Sequence, residues 1–488
     1  MIRKISSTCI AIFVSISLFG CIQSENNNET ASKPSRHAIL VEGTGTYSRK
    51  ISTESELAQK FFDQGLRYAW AFHFPESIAS YQQAAIHDPS HPMIYWGMAH
   101  SIGPNPNSRY SRMPDDPKGE GLKAINKAMS LLENATAMER EIITALYVFY
   151  NKESISDDNL RDEAYMKVAN ALQEKYPTDP DIVSLYAESY MNIGRWDYWE
   201  KDGTPKSSTT KVANALEDVL KSSPNHTGAN HLNIHLLEAS QEPERALGSA
   251  DRLEATMPIV GHVVHMPSHI YVRVGQYNKA IDSNMRSVKM DSKFLQIWGN
   301  LPFPDIGTYP LSAKIHPPHA IDFIKYAATV QGNYAVAIDA AEKMEALMDS
   351  NNIGAVRAQT AFAGPWLVNK IFGKWDKLLD TTPAATGTPY LDGIWSYSIG
   401  STYVAKGLLT NARTELDNIK RILSLDDVDQ YMVGANPVST VLKLAELALT
   451  GEIYEAEGDL ESAIKACLLY TSDAADDLLC VDLGGRRI

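Results

Sequence analysis

One spacing of small and aromatic residues recurs from Gly65 to Ala463 and limits what this chain can build. Gly65, Tyr68, Ser77, Tyr81, Ala84 and Pro89 set the frame. It returns at Tyr271, Gly275, Tyr277 and Ala280, then at Gly332, Tyr334 and Ala337. Trp366, Gly373 and Trp375 repeat it, followed by Gly400, Tyr403, Gly407 and Ala412, and by Gly451, Tyr454, Gly458 and Ala463. Small residues let two antiparallel helices approach while aromatics fill the space between neighbouring pairs. Six occurrences in phase predict an all-α solenoid, because helix formers dominate and strand signals are sparse. At about 34 residues per pair, residues 55–466 have room for about twelve pairs.

Histidine is the second organising feature. Six of the thirteen histidines fall between His226 and His269, where even scatter would place about one. His231, His235 and Glu238 stand at i, i+4 and i+7, within roughly 60° of one another on a helix. His262, His265 and His269 follow at i, i+3 and i+7 about one repeat later. Stripes of imidazole and carboxylate facing each other across stacked helices are expected to converge on one transition-metal centre. Pro267 would break a helix running through 262–274. In a first turn it would leave His262 and His265 on a preceding loop and only His269 helical.

The ends are read separately. Residues 1–20 have a basic start (Arg3, Lys4) and an apolar run too short to span a membrane, the pattern of a signal peptide. Leu18-Phe19-Gly20-Cys21 resembles a lipobox, in which Cys21 is acylated and becomes the first residue. Residues 21–54 are polar and read as a flexible tether. Residues 467–488 read as a translated sequencing-adapter scar that interrupts a helix, so the native chain is expected to continue past Ala466. With Cys9, Cys21, Cys467 and Cys480 so assigned, no thiol remains in the body of the protein. Disulfides and cysteine ligands are therefore excluded, and metal ligands must come from His, Asp and Glu.

A net charge of −14 without a basic stripe argues against nucleic acid as a partner. Glycine-rich phosphate loops, Gly-x-Ser-x-Gly elbows and His-Glu-x-x-His motifs are absent from the sequence. The aromatic stretch Arg195-Trp196-Asp197-Tyr198-Trp199-Glu200 runs into a turn at Asp202-Gly203-Thr204-Pro205 and is expected to pack on the solenoid.

The repeat spacing resembles that of tetratricopeptide repeats, and the expected fold is a tetratricopeptide-like α-solenoid. Residues 58–344 further resemble exported bacterial tetratricopeptide-repeat proteins of no assigned activity. The likeness is carried by Phe61-Phe62-Asp63-Gln64-Gly65-Leu66, by Tyr95-Trp96-Gly97-Met98-Ala99 with Gly103-Pro104-Asn105, and by two histidine segments. Those segments are His231-Leu232-Asn233-Ile234-His235-Leu236-Leu237-Glu238 and His262-Val263-Val264-His265-Met266-Pro267-Ser268-His269. Where the family reads Pro-His-Asn-x-His-Phe, this chain has Pro318-His319-Ala320-Ile321-Asp322-Phe323, so Asp322 replaces the second histidine. His319 and Asp322 therefore rank below the other candidates. Phe72-His73-Phe74-Pro75-Glu76-Ser77 likewise departs from Phe-Asn-His-x-Glu-Ala.

The expected protein is a lipid-anchored envelope solenoid, on the periplasmic face of the outer membrane in a Gram-negative host. A site in 226–322 would hold a divalent transition metal through His231, His235, Glu238, His262, His265 and His269. Imidazole and carboxylate without thiolate suit Zn, Cu, Fe or Mn, and Met257 and Met266 nearby leave copper open. Whether such a site is catalytic stays open at this point, as does Glu238 acting as a base. The rival reading is a non-catalytic scaffold that captures a protein or peptide in its concave groove, with histidines that only hydrogen-bond.

Overall fold

The computed structural model describes residues 38–103, 106, 117–298, 316–383, 386–434 and 436–476. The expected signal peptide, Cys21, the start of the tether, Pro104, Asn105 and residues 477–488 lie outside them. The fold is all-α and tetratricopeptide-like, with twenty-one α-helices among the described residues. Its strands are the two-residue pair Met432–Val433 and Asn436–Pro437. The helix number is nearer ten pairs than twelve. Part of the difference lies in segments such as 195–208, a turn closed by an antiparallel bridge between Trp199 and Pro205. No helix among the described residues is long and apolar enough to cross a membrane.

The small-to-aromatic logic of the repeats is visible where helices meet. A Cβ on Gly65 would lie 2.9 Å from the Tyr81 ring, and one on Gly97 would lie 2.3 Å from it. Helices Glu56–Trp70, Phe74–His87 and Pro92–Ile102 thus close around one buried tyrosine. Inside several later pairs, the repeat glycine ends the first helix in a left-handed conformation: Gly275, Gly332, Gly373, Gly407 and Gly458 have φ between +61° and +83°. An L side chain is disfavoured there, which is why glycine recurs in that turn.

Two earlier turns place aromatic residues in the same conformation. Phe72, between helices Glu56–Trp70 and Phe74–His87, has φ +58°, and Trp196, after helix Pro180–Gly194, has φ +72°. Each such residue costs about 1–2 kcal/mol relative to a relaxed backbone.

Residues 38–54, expected to belong to the tether, pack against the solenoid instead. Ala38 and Ile51 are buried. Val41 N–H donates to Gln64 Oε1 at 2.8 Å, and Arg49 reaches Asp179 at 2.9 Å and Asp181 at 3.0 Å. Asp181 also accepts from Tyr47 Oη at 2.6 Å and from Trp70 Nε1 at 2.8 Å, and meets His226 Nε2 at 3.0 Å. Burial alone would raise its carboxyl, but His226, Arg49 and Tyr47 hold it well below the usual carboxylate range. The partners of this polar segment include Gln64, Asp179 and Asp181, which lie up to 134 residues away and leave no local trace in the sequence.

Helix Leu460–Asp476 runs through the boundary at 466 without a break. Leu460, Ile464, Leu468 and Leu469 on it are exposed.

Candidate metal centre

Helix Thr227–Leu237 carries His231 and His235 one turn apart, both fully buried. It is capped by His226, whose Nδ1 accepts from Ala229 N–H at 3.0 Å. The second histidine segment is two short helices, Gly261–His265 and Pro267–Arg273, joined at Met266. His262 and His265 are therefore helical, where a loop was one expectation. Met266 keeps helical angles (φ −52°, ψ −37°), so Pro267 opens a new first turn and the chain swings without uncoiling. His319 comes from helix His316–Gln331, which packs against this region.

Two groups of three result. His231, His235 and His262 offer ligand atoms within 4.8 Å of one another, and so do His265, His269 and His319. The spacing predicts one cluster; the structure has two, because the helices that carry residues 231/235 and 265/269 each deliver their pair to a different triad. The triads abut. Ring centroids of His235 and His269 are 5.7 Å apart, and those of His262 and His265 are 6.2 Å apart.

What surrounds the rings fixes their orientation. His231 Nδ1 lies 2.7 Å from the Trp70 carbonyl, which can only accept, so that nitrogen carries the proton. His265 Nδ1 lies 2.5 Å from Asn284 Oδ1, and the Asn284 amide is turned by its own donation to Ala280 O at 2.8 Å. Glu238 receives His235 Nδ1 at 3.0 Å on one carboxylate oxygen and His269 Nδ1 on the other. The opposite nitrogens meet: His231 Nε2 and His262 Nε2 are 3.1 Å apart, and His265 Nε2 and His269 Nε2 are 2.8 Å apart.

That last contact is informative. With both Nδ1 protons committed to acceptors, neutral His265 and His269 turn two lone pairs at each other. The pair is stable only with a proton added, as an imidazolium, or with a cation that both nitrogens bind. At a tetrahedral centre, metal–nitrogen bonds of about 2.0–2.1 Å put adjacent ligand nitrogens about 3.3 Å apart, so a shared metal needs the two rings to part by about half an ångström. Burial, followed by the proximity of His235, drives the His231 ring well below the ordinary imidazole range and keeps it neutral, the form that ligates. Burial would raise Glu238, but His269 and His235 hold it ionised and far below its usual value.

Glu238 thus stands behind two ligand candidates as an orienting carboxylate, the arrangement that fixes histidine tautomers around metals. Asp322 faces Lys325 at 2.5 Å and is in neither triad. His319, ranked low on sequence, joins His265 and His269. His73 caps helix Phe74–His87 without a side-chain bond to it, and its ring lies edge-on to Phe294 at 5.1 Å.

Sequence reasoning missed the aromatic covers. Phe72 lies over the first triad, 4.3 Å from His231 and 5.9 Å from His262 between centroids. Phe323 lies over the second, 4.9 Å from His265, 4.7 Å from His269 and 5.0 Å from His319. Trp196 meets His235 edge-on at 4.6 Å. The two aromatic residues in strained left-handed turns are thus both in contact with the first triad.

No known protein family matches the chain, and no curated protein does. Similar solved structures include PilW, a type IV pilus biogenesis factor, at 11% identity and TM-score 0.30, covering 62% of this chain and 96% of that one. Another is a signal-transduction ATPase with a tetratricopeptide-repeat sensor from Pyrococcus horikoshii, at 14% identity and TM-score 0.36. That match covers 86% of this chain and 54% of the other.

Proposed function

We propose that this protein is a metal-binding solenoid whose middle repeats hold a transition metal on His231, His235, His262, His265, His269 and His319, with Glu238 orienting the rings. One observation carries the reading: the His265 and His269 Nε2 atoms meet at 2.8 Å while both Nδ1 atoms face acceptors. Six crowded imidazoles without a cation would either leave lone pairs opposed or add buried positive charge, and both cost stability. A metal cation accepts the opposed lone pairs, and the carboxylate of Glu238 beside two of the rings offsets part of its charge. The ion would also supply Lewis acidity or redox chemistry at any position the histidines leave open. Anchoring through an acylated Cys21 at the cell envelope is part of the same reading.

His235→Ala tests it. Alanine suits a helix, so helix content should stay close to wild type while bound metal falls by at least half. Glu238→Gln should retain the fold and weaken metal binding about 10–100-fold, the usual effect of losing an orienting partner. Variants that change only stability, with no metal on the parent protein, would leave the histidines as hydrogen-bonding residues of an interaction scaffold.

A further inference from the structure

Helix Thr227–Leu237 and the Trp70 carbonyl, which together place His231, share one buried support. Trp70 Nε1 and His226 Nε2 both bond Oδ1 of Asp181, at 2.8 and 3.0 Å. His226 is the N-cap of that helix, and its Nδ1 accepts from Ala229 N–H, so Nε2 carries the proton and donates. The helix also rests on the tryptophan directly, since a Cβ on Gly228 would lie 2.6 Å from the Trp70 ring. The carbonyl of the same Trp70 accepts from His231 Nδ1 at 2.7 Å. One carboxylate oxygen thus fixes both the start of the helix and the residue that orients its first histidine.

The other oxygen serves the N-terminal segment. Oδ2 of Asp181 accepts from Tyr47 Oη at 2.6 Å and from Arg49 Nη1 at 3.0 Å. The Tyr47 ring also stands edge-on to His226, with centroids 4.5 Å apart. Two residues earlier, a Cβ on Gly45 would come within 2.2 Å of the Thr256 carbonyl oxygen, and Ile259 N–H points to Gly43 O at 3.4 Å. Residues 38–54 therefore form a strap against the approach to both helices of the first triad. One of those helices carries His231 and His235, and the other carries His262. Rings of the second triad have supports elsewhere, Asn284 at His265 and Glu238 at His269.

We infer, resting on the metal-binding reading above, that Asp181 is a positioning residue of the first triad. Through it, the strap sets how tightly His231, His235 and His262 hold a metal ion. Asp181 is fully buried, and a carboxylate at that depth is costly unless its lone pairs are met. With the strap engaged, each of its oxygens has two donors. With the strap withdrawn, Oδ2 loses both, and the group regains partners only by turning away from Trp70 and His226 or by admitting water. Either change loosens the cap of the helix and the carbonyl that aims His231. The strap is thus a regulatory element for one triad, and the second is outside its reach.

The test uses the full chain without an affinity histidine tag, and zinc alone as the probe, titrated against a chromogenic chelator. His265→Ala/His319→Ala leaves the first triad to be measured, and His231→Ala/His262→Ala leaves the second. Adding Tyr47→Phe/Arg49→Met should weaken zinc about tenfold at the first triad, the lower end of the usual loss for an orienting partner, and leave the second unchanged. His226→Asn keeps a side chain that caps helices but lacks the Nε2–H on Asp181, and it should reproduce the loss. Equal weakening at both triads, or none at the first, would overturn the coupling and leave metal binding intact. No zinc on either parent would overturn the metal-binding reading and this inference with it. Should a histidine variant fail to fold, the chain with all six histidines decides by nuclear magnetic resonance of ¹⁵N-labelled histidine. In the metal-free protein the His231 Nδ1 proton should exchange about tenfold faster with solvent once Tyr47→Phe/Arg49→Met is introduced, because its bond to Trp70 opens more often. An unchanged exchange rate would overturn the inference.

Discussion

Glu76 shows how a single side chain can set the pH response of this fold. It is fully buried in helix Phe74–His87, one carboxylate oxygen has no hydrogen-bond partner, and the other lies 3.7 Å from His73 Nδ1. Burial pushes its carboxyl up to about 8 from an ordinary 4.5. The folded state therefore binds a proton more tightly than the unfolded chain. The resulting stability is complete below pH 4.5 and is lost as pH rises through about 8. Asp181 and Glu238 act in the opposite sense, stabilising at higher pH and losing that contribution in acid. Urea unfolding between pH 6 and 8.5 should show wild-type stability falling with pH, and Glu76→Gln should flatten the slope. An unchanged slope in the variant would rule Glu76 out as its source. At this scale the sequence was informative where residues share a helix face. His231, His235 and Glu238 could be grouped by spacing alone. Asn284 and the Trp70 carbonyl, which hold two of the rings, lie 19 and 161 residues from their partners and follow no local pattern.

Turns between paired helices recur through the later half of the chain with glycine at the left-handed position. Gly275 sits at φ +74° with nothing within 4 Å of where a Cβ would be, so a side chain there meets strain and no clash. Gly275→Ala should cost about 1 kcal/mol in chemical denaturation and leave metal content unchanged. A neutral or stabilising result would mean that the turn relaxes without penalty. The glycine–x–aromatic turn was written in the sequence at Gly275, Gly332 and Gly373, and it made the later helix pairs easy to read. At Phe72 and Trp196 the glycine is replaced, which hid the turn from the repeat pattern. That replacement was the available signal for a functional contact, since both rings touch the first triad. Pro267 was legible as a break, but the helical angles at Met266 depend on tertiary packing. The division of six histidines between two triads was not legible either, because it depends on the angle between two short helices.

At the scale of the whole molecule, the solenoid provides stacked, rigid helices on which ligands one repeat apart come to face each other. The contacts His231–His262 and Glu238–His269 both span 31 residues, close to one repeat. Acylation at Cys21 is a separate proposal. Replacing Cys21 with Ser should release the protein into the soluble fraction with its helix content intact, because the segment from 38 onward is held to the solenoid by its own buried contacts. A variant that stays firmly in the membrane fraction would contradict acylation at Cys21. The central claim is that the imidazole cluster is a metal site, and the coordination shell of metal on the natively purified protein tests it most directly. X-ray absorption should find stoichiometric metal in a nitrogen-dominated shell at about 2.0 Å, with the outer-shell scattering of imidazole rings. Protein without stoichiometric metal, or metal in an oxygen-dominated shell, would contradict it.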